Sequence, residues 1–146
     1  MLINKDDLPL VAMEFMNNTH FEDVEIINEL YDDMLNYEKD ASNDNLAKLE
    51  SKYKEWVEHT IQHFATEEEE MIAKGFFAYG FHKSEHEANL YEITQLWSKF
   101  EGTKDINILK NYFEKALVSW LVNHIQTMDT VTAMFFKTGM SPCGMH

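Results

Sequence analysis

The chain has 146 residues, of which 45% are hydrophobic and 13% aromatic, and its formal net charge at pH 7 is −14. This length and apolar content predict one globular domain with a sizeable core rather than a disordered chain. The acidic balance argues against nucleic acid and against an anionic membrane surface, because both need a basic protein surface.

The cysteine content and the start of the chain bear on the compartment. Cys143 is the single cysteine, so no intramolecular disulfide is possible. The first residues do not form a signal-peptide pattern, and no apolar run approaches the roughly 20 residues that span a bilayer. We therefore expect a cytoplasmic protein.

The first half of the chain predicts two helices after an irregular arm over residues 1–16. Apolar residues recur at intervals of three and four over about 18–38 and again over about 43–74. Gly75 is a natural residue to end the second helix. Three residues before or at the start of the first helix are suitable N-caps: Asn17, Asn18 and Thr19.

The second half predicts two more helices, over about 81–100 and about 105–136, with Thr103 or Asp105 as the N-cap of the last one. The remaining residues, 137–146, contain Gly, Pro and Ser and are expected to be a loose tail. Four long helices with short loops favour an all-α, antiparallel up-down-up-down four-helix bundle, which forms a single domain over residues 1–146.

Two spacings of four residues stand on either side of the connector between the second and third helices. These are His63-x-x-x-Glu67 and His82-x-x-x-His86. Residues four apart lie on nearly the same face of a helix, so each pair can point two metal-binding side chains in one direction. A turn at the connector would make the two pairs face each other.

Two further histidines fall in the same layer of an antiparallel bundle. His20 is near the start of the first helix and His124 is late in the fourth, so both lie at the end that holds the two pairs. Taken alone, His124 is more often a hydrogen-bonded core residue, and Glu67 within its run of glutamates is more often solvated. The convergence of all of them favours a metal site.

The side-chain chemistry narrows the metal. Five imidazoles with carboxylates and no thiolate suit iron, zinc or copper better than magnesium or calcium. Five histidines exceed one open site and suit two ions bridged by carboxylates. A ferritin-like site is disfavoured, because no histidine has a glutamate three residues before it.

Three motifs resemble those of the hemerythrins in their bacterial single-domain form. The stretch His63-Phe64-x-x-Glu67-Glu68-x-x-Met71 is similar to the family's HFxxEExxM, and His82-Lys83-x-x-His86 to its HKxxH. A third stretch, Trp120-Leu121-x-x-His124-Ile125-x-x-x-Asp129, is similar to WLxxHIxxxD, and His20 aligns with the first-helix histidine. The resemblance covers roughly residues 9–135.

This resemblance implies a non-haem centre of two iron ions, Fe2+ or Fe3+, with an oxo or hydroxo bridge, which binds dioxygen reversibly and is not an enzyme. One ion would be held by His82, His86 and His124 and the other by His20 and His63, with Glu67 and Asp129 bridging them. Four neighbouring apolar residues are candidates for the wall of the oxygen pocket: Phe64, Trp120, Leu121 and Ile125.

Several residues depart from the family pattern or have no assigned role. Asn17-Asn18-Thr19 replaces the common Asp-x-Gln before the first histidine, Phe76-Phe77 replaces a Tyr-Pro, and the amino-terminal tryptophan is missing. His59 is expected to support a ligand or lie on the surface. Cys143 and His146 form a weak Cys-x-x-His in the tail. His124 and Asp129 are five residues apart, about 140° around an ideal α-helix, so the bridging role of Asp129 rests on the resemblance more than on the spacing.

The expected function is oxygen storage, oxygen transport or delivery, or protection of oxygen-labile enzymes, with an oxygen-using or reductase partner. The alternatives are an enzyme that scavenges peroxide or nitric oxide at the same centre, and a sensor that acts through a partner protein. The oligomeric state does not follow from the sequence.

Overall fold

Four helices account for most of residues 1–139, the part of the chain that the computed structural model describes. We label them α1 (Glu14–Lys39), α2 (Asn43–Ala73), α3 (Tyr79–Thr103) and α4, which spans 106–138. A short 3-10 turn at Lys5–Asp7 precedes them. The described residues contain no strand, so the predicted all-α four-helix bundle is confirmed.

Each helix packs on its neighbours in the chain, and α1 also packs on α4, which closes the bundle. The short connectors make consecutive helices antiparallel. A large apolar cluster fills most of the interior, and a smaller one, formed by Met16, Met71, Phe76, Ala133 and Phe136, occupies the end where α1 begins. A layer of buried polar side chains lies between the two clusters.

Helix α1 begins four residues earlier than predicted, and none of the three expected N-caps occupies the cap position. Met13 is the N-cap and makes no side-chain hydrogen bond there. The amide of Asn17 instead accepts a hydrogen bond from the Val11 N–H at 2.9 Å and donates one to the Val11 carbonyl at 3.0 Å, which ties the amino-terminal arm to the helix. Met16 is fully buried, so packing of this first turn extends the helix beyond its polar cap candidates.

The connector between α2 and α3 has the predicted glycine end. Gly75 has a φ of +64°, which is the left-handed region that favours glycine. The N–H of Phe76 donates to the Met71 carbonyl at 2.8 Å, and that of Gly75 donates to the Ile72 carbonyl at 3.2 Å, which together form a Schellman motif. Helix α2 ends at residue 73, one residue earlier than predicted. Helix α3 begins two residues earlier than predicted, at 79, and ends three residues later, at 103.

Helix α4 is not a uniform α-helix. It is α-helical over Ile106–Asn111, Val118–His124 and Thr130–Thr138, and π-helical over Tyr112–Leu117 and Ile125–Asp129. Asp105 caps its start by accepting a hydrogen bond from the Asn107 N–H at 3.0 Å, as one of the two expectations had it.

The carboxyl-terminal end differs from the predicted loose tail. Residues 137 and 138 belong to α4, so the helix ends two residues later than expected. The rest of the predicted tail, which includes Cys143 and His146, lies outside the described residues apart from Gly139. Within residues 1–139, no helix combines the length and the apolar character needed to cross a membrane.

Candidate metal centre

The seven side chains expected as ligands meet in the polar layer between the two apolar clusters, and all four helices contribute to it. None of the seven is more than 8% exposed. Their donor atoms form two groups. Within each group the atoms lie within 4.8 Å of one another, and the two groups share the carboxylate of Glu67. The first group is Glu67, His82, His86, His124 and Asp129, and the second is His20, His63 and Glu67.

Glu67 faces both groups at once. Its Oε2 is 2.6 Å from Nε2 of His63, in the two-histidine group. Its Oε1 is 3.4 Å from Nε2 of His86 and 3.5 Å from Nε2 of His82, in the three-histidine group. One carboxylate oxygen therefore points to each group, which is the geometry of a bridging ligand.

Asp129 is divided in the same way. Its Oδ2 is 2.9 Å from Nε2 of His20, and its Oδ1 is 3.1 Å from Nε2 of His82 and 3.2 Å from Nε2 of His124. The two carboxylates therefore stand between the same two groups of histidines.

The π-helical turn explains how Asp129 reaches this position. Residues five apart would differ by about 140° on an α-helix. The segment Ile125–Asp129 is π-helical, so its wider turn brings His124 and Asp129 to the same side of α4. The angle of about 140° holds only for a regular α-helix, so the π-helical segment supplies the geometric reason that the spacing alone does not give.

The outer nitrogen of His82 is held by Thr132. The Thr132 hydroxyl donates its proton to the Met128 carbonyl at 2.8 Å, so toward His82 it can only accept. Nδ1 of His82 lies 2.7 Å from this oxygen and must therefore carry a proton. This leaves Nε2, which points into the centre, as the nitrogen that can offer a lone pair to a metal ion.

Carboxylates hold three other histidines by the same nitrogen. Nδ1 of His86 donates to Glu68 at 2.9 Å, and Nδ1 of His124 donates to Glu85 at 2.8 Å. Nδ1 of His63 donates to Asp23 at 2.9 Å. Carboxylate partners of this kind fix the ring orientation and raise the basicity of the nitrogen that faces the metal.

Asp23 has a second partner, His59, which sequence reasoning assigned only to a supporting or surface role. Nδ1 of His59 donates to Asp23 at 2.6 Å, while Nε2 lies 3.2 Å from the exposed carboxylate of Glu22. Burial raises the pKa of Asp23, but its hydrogen bonds with His59 and His63 outweigh burial and lower it. Asp23 therefore stays ionised between two histidines, and His59 supports His63 through it.

Sequence reasoning missed Asp23, Glu85 and Thr132 as supports and gave Glu68 no role. A signal was present for two of them, since Asp23 and Thr132 lie three residues after His20 and Asp129 and therefore on the same helix faces. Each of the four contacts joins different helices. The spacing along one helix therefore indicates the face on which Asp23 and Thr132 lie but not the histidine that each one contacts.

His20 is the exception among the five histidines. Its Nδ1 is buried without a hydrogen-bond partner. The residues that replace the family's usual Asp-x-Gln do not reach it, because Asn17 bonds the Val11 backbone and the Thr19 hydroxyl donates to the Phe15 carbonyl. The ring of His20 is therefore held less firmly than the other four.

The centre of the layer contains buried atoms that lack hydrogen bonds. They are Oε1 of Glu67, Nε2 of His86 and Oδ1 of Asp129, all of which face the three-histidine group. An unpaired buried polar atom costs about 1–3 kcal/mol, and such atoms are rare in native proteins. Metal cations between these donors would satisfy all three atoms, so this set of imidazoles and carboxylates fits a metal centre.

The charges of the layer are strongly coupled. Burial raises the pKa of Asp129, but the nearby His124, His20 and His82 hold it well below its usual value. Burial lowers the pKa of His124, but Asp129 and Glu85 raise it to about 9. Protonated histidines thus neutralise the buried carboxylates, and metal ions would displace those protons on binding.

Two aromatic rings stack on histidines that were expected to be ligands. Phe64 lies parallel to His86 with 3.7 Å between ring centroids, and Trp120 lies parallel to His124 at 4.7 Å. Aromatic pairs of this kind contribute about 0.5–1.5 kcal/mol beyond their buried area.

A cavity of about 30 Å³ lies beside the centre and is lined mostly by apolar atoms. Three of the four residues expected to form the oxygen pocket line it, namely Phe64, Trp120 and Leu121, and Ile125 does not. His63, His124 and Asp129 also line it, so the cavity reaches both groups of ligands. Its volume suits a water-sized guest.

Comparisons with known proteins give a consistent set of relatives. The chain is 30% identical to the bacteriohemerythrin of Aquifex aeolicus (strain VF5) over 133 residues, which cover 91% of this chain and 96% of the relative. It is 31% identical to the bacteriohemerythrin of Methylococcus capsulatus over 125 residues, which cover 81% of this chain and 88% of the relative. For that of Pseudomonas aeruginosa (strain LESB58) the identity is 29% over 128 residues, with 88% and 76% covered. No family model and no solved structure matches the chain.

Proposed function

The chain belongs to the bacterial hemerythrin family, and from that premise we propose that it binds dioxygen reversibly at two non-haem iron ions held between its four helices. The observation that carries the proposal is the two-sided placement of Glu67 and Asp129, each with one oxygen toward each group of histidines. We also propose that residues 1–146 form one hemerythrin-like domain.

The proposed ligands follow the two groups of donor atoms. His82, His86 and His124 would hold one ion, and His20 and His63 would hold the other, while Glu67 and Asp129 bridge them. Two ferrous ions carry four positive charges, of which the two carboxylates and a hydroxo bridge would neutralise three. The small remaining charge limits the cost of burying the centre.

Iron supplies the redox chemistry of dioxygen binding, and the chain supplies orientation and a dry surrounding. The ion with only two histidines has fewer protein ligands and therefore more room for an added one. The cavity is lined by His63 of this group, although it also reaches His124 of the other. Its apolar wall, with Phe64 and Trp120, suits an apolar guest and restricts water, which would promote irreversible oxidation of the iron.

The test combines metal analysis with visible spectra. Protein loaded with ferrous iron without air should hold two ions per chain, gain a charge-transfer band when dioxygen is admitted, and lose it under vacuum. The control is His82→Ala, which leaves two histidines in the larger group and should lose or scramble iron. Irreversible oxidation of the wild-type protein on first contact with dioxygen would contradict reversible binding.

A second candidate is a scavenging enzyme that reduces peroxide or nitric oxide at the same centre. It is favoured by the unsupported ring of His20, because a loosely held ligand suits turnover better than storage. Steady-state consumption of peroxide or nitric oxide by the reduced protein would support it. Stoichiometric binding without turnover would exclude it.

A further inference from the structure

Asn89 is the one polar residue of the cavity wall on α3. The cavity lies among all four helices, and most of its surface is contributed by apolar atoms. Its other polar lining residues are either proposed ligands or bonded elsewhere, such as Asp23 to two histidines and Thr60 to the Trp56 carbonyl. Asn89 lies one helical turn after His86 and is only 4% exposed.

The amide nitrogen of Asn89 has no hydrogen-bond partner. Five buried side-chain atoms in residues 1–139 lack a partner, and four of them belong to the proposed iron ligands His20, Glu67, His86 and Asp129. The fifth is Nδ2 of Asn89. The atoms of Glu67, His86 and Asp129 face the proposed ions, so Nδ2 of Asn89 and the outer nitrogen of His20 are the unpaired buried side-chain atoms, in this part of the chain, that metal ions would not satisfy.

The side chain of Asn89 also lies near the phenol of Tyr112. Burial and Glu92 raise the pKa of Tyr112, and Asn89 offsets part of that increase. The contact does not reach hydrogen-bond geometry at Nδ2, so it leaves the donor unsatisfied. A buried amide N–H group without an acceptor destabilises the folded chain, because its desolvation is not offset by a hydrogen bond.

We propose that Asn89 donates a hydrogen bond to the molecule held in the cavity. The site would then select a small guest that carries a lone pair or negative charge over a wholly apolar guest of the same size. The small cavity volume, about 30 Å³, limits that guest to a few atoms. This inference rests on the proposed function, since it concerns the same centre, and it assigns the specificity of its guest to a residue outside the ligand set.

Two substitutions separate the hydrogen bond from the space available. Asn89→Ala removes the donor and enlarges the cavity, while Asn89→Leu removes the donor and fills it. The matched control is Asn123→Ala, which makes the same change at an exposed position of α4 next to His124. The probe is azide, a small linear anion, titrated into the iron-loaded ferric protein.

Asn89→Ala should bind azide about 10-fold more weakly than the wild type, because a hydrogen bond to a charged group is lost although room is gained. Asn123→Ala should leave the affinity within twofold. In the metal-free protein, Asn89→Leu should raise Tm by roughly 2–4 °C, because an unpaired buried amide is removed. A purely structural asparagine would instead lower Tm when replaced.

Unchanged azide affinity in Asn89→Ala, a lowered Tm in Asn89→Leu, or no azide binding to the wild type would each overturn the inference. Failure of the proposed function has a different signature. In that case the wild-type protein gives no reversible dioxygen band, while the contrast in azide affinity between wild type and Asn89→Ala still decides the role of Asn89.

Discussion

At the scale of single residues, the proposed metal centre depends on four side chains that contact its histidines but are not themselves proposed ligands. Thr132, Glu68, Glu85 and Asp23 each bind the outer nitrogen of one histidine. Their contacts select the tautomer that turns Nε2 inward. The hydroxyl of Thr132 is uncharged. It accepts the hydrogen bond from His82 because its own proton is donated to the Met128 carbonyl.

Replacing Thr132 with valine tests this support without changing a ligand. Thr132→Val keeps the shape of the side chain but removes the oxygen that accepts from Nδ1 of His82, so iron affinity should fall about 10- to 100-fold. Competition with a chelator measures the change. Thr127→Val is the matched control, because Thr127 bonds the carbonyl four residues earlier in the same helix but is exposed. Equal losses in the two variants would show that Thr132 has no specific role at His82.

At the scale of elements, the π-helical turn of α4 decides whether the fourth helix can contribute two ligands. Its extra residue lies between His124 and Asp129, and both side chains face the centre. The neighbouring stretches Val118–His124 and Thr130–Thr138 are ordinary α-helix. The turn therefore adjusts the angle of Asp129 while the apolar face of α4 remains in register.

Deleting Thr127 tests the turn. The deletion shortens the spacing from His124 to the aspartate to four residues, which in an α-helix are only about 40° apart. The aspartate should therefore still point into the centre, and the residues after it should remain on the same sides of α4. We expect cooperative unfolding and most of the bound iron to be retained. Deleting the exposed Asn123 from the preceding α-helical stretch turns His124 by about 100° and should lose iron. Metal analysis and thermal unfolding of both variants make the comparison, and equal loss of iron would contradict it.

At the scale of the whole molecule, the centre concentrates charge inside a chain that is already acidic. The chain has 26 acidic and 12 Lys or Arg residues. Without metal ions, protonated histidines balance Glu67 and Asp129. The stability of the metal-free protein must therefore depend on pH in a way that the iron-loaded protein does not share.

The pKa shifts set the direction of this dependence. The pKa of His124 rises from 6.5 to about 9 in the folded chain, so its stabilising effect is complete below pH 6.5 and is lost as the pH rises through 9. The pKa of Asp129 is held below 3.8, so its effect is present above that value and is lost as the pH falls further. The Tm of the metal-free protein should therefore be highest between about pH 4 and 6.5 and fall toward pH 9.

Thermal unfolding of both forms across this range makes the measurement. Iron binds neutral imidazole, so the loaded protein should not show the alkaline loss, and the difference in Tm between the two forms should widen from pH 6.5 to 9. A metal-free Tm that stays constant or rises over this interval would contradict the charge balance.

The sequence by itself determined the class of fold and the identity of most candidate ligands. Helical periodicity and turn residues predict the four helices, and the four-residue spacings His63–Glu67 and His82–His86 place two pairs on single helix faces. These features are local, so the order of residues expresses them directly.

Only the tertiary structure decided how the helices meet. It brought Asp129 into the centre through a π-helical turn, placed Asp23 between His59 and His63, left His20 without support, and set Asn89 in the cavity wall. Each of these features depends on contacts between different helices or on a local change of helical pitch. Packing of the assembled bundle selects them, and no spacing along one helix encodes them.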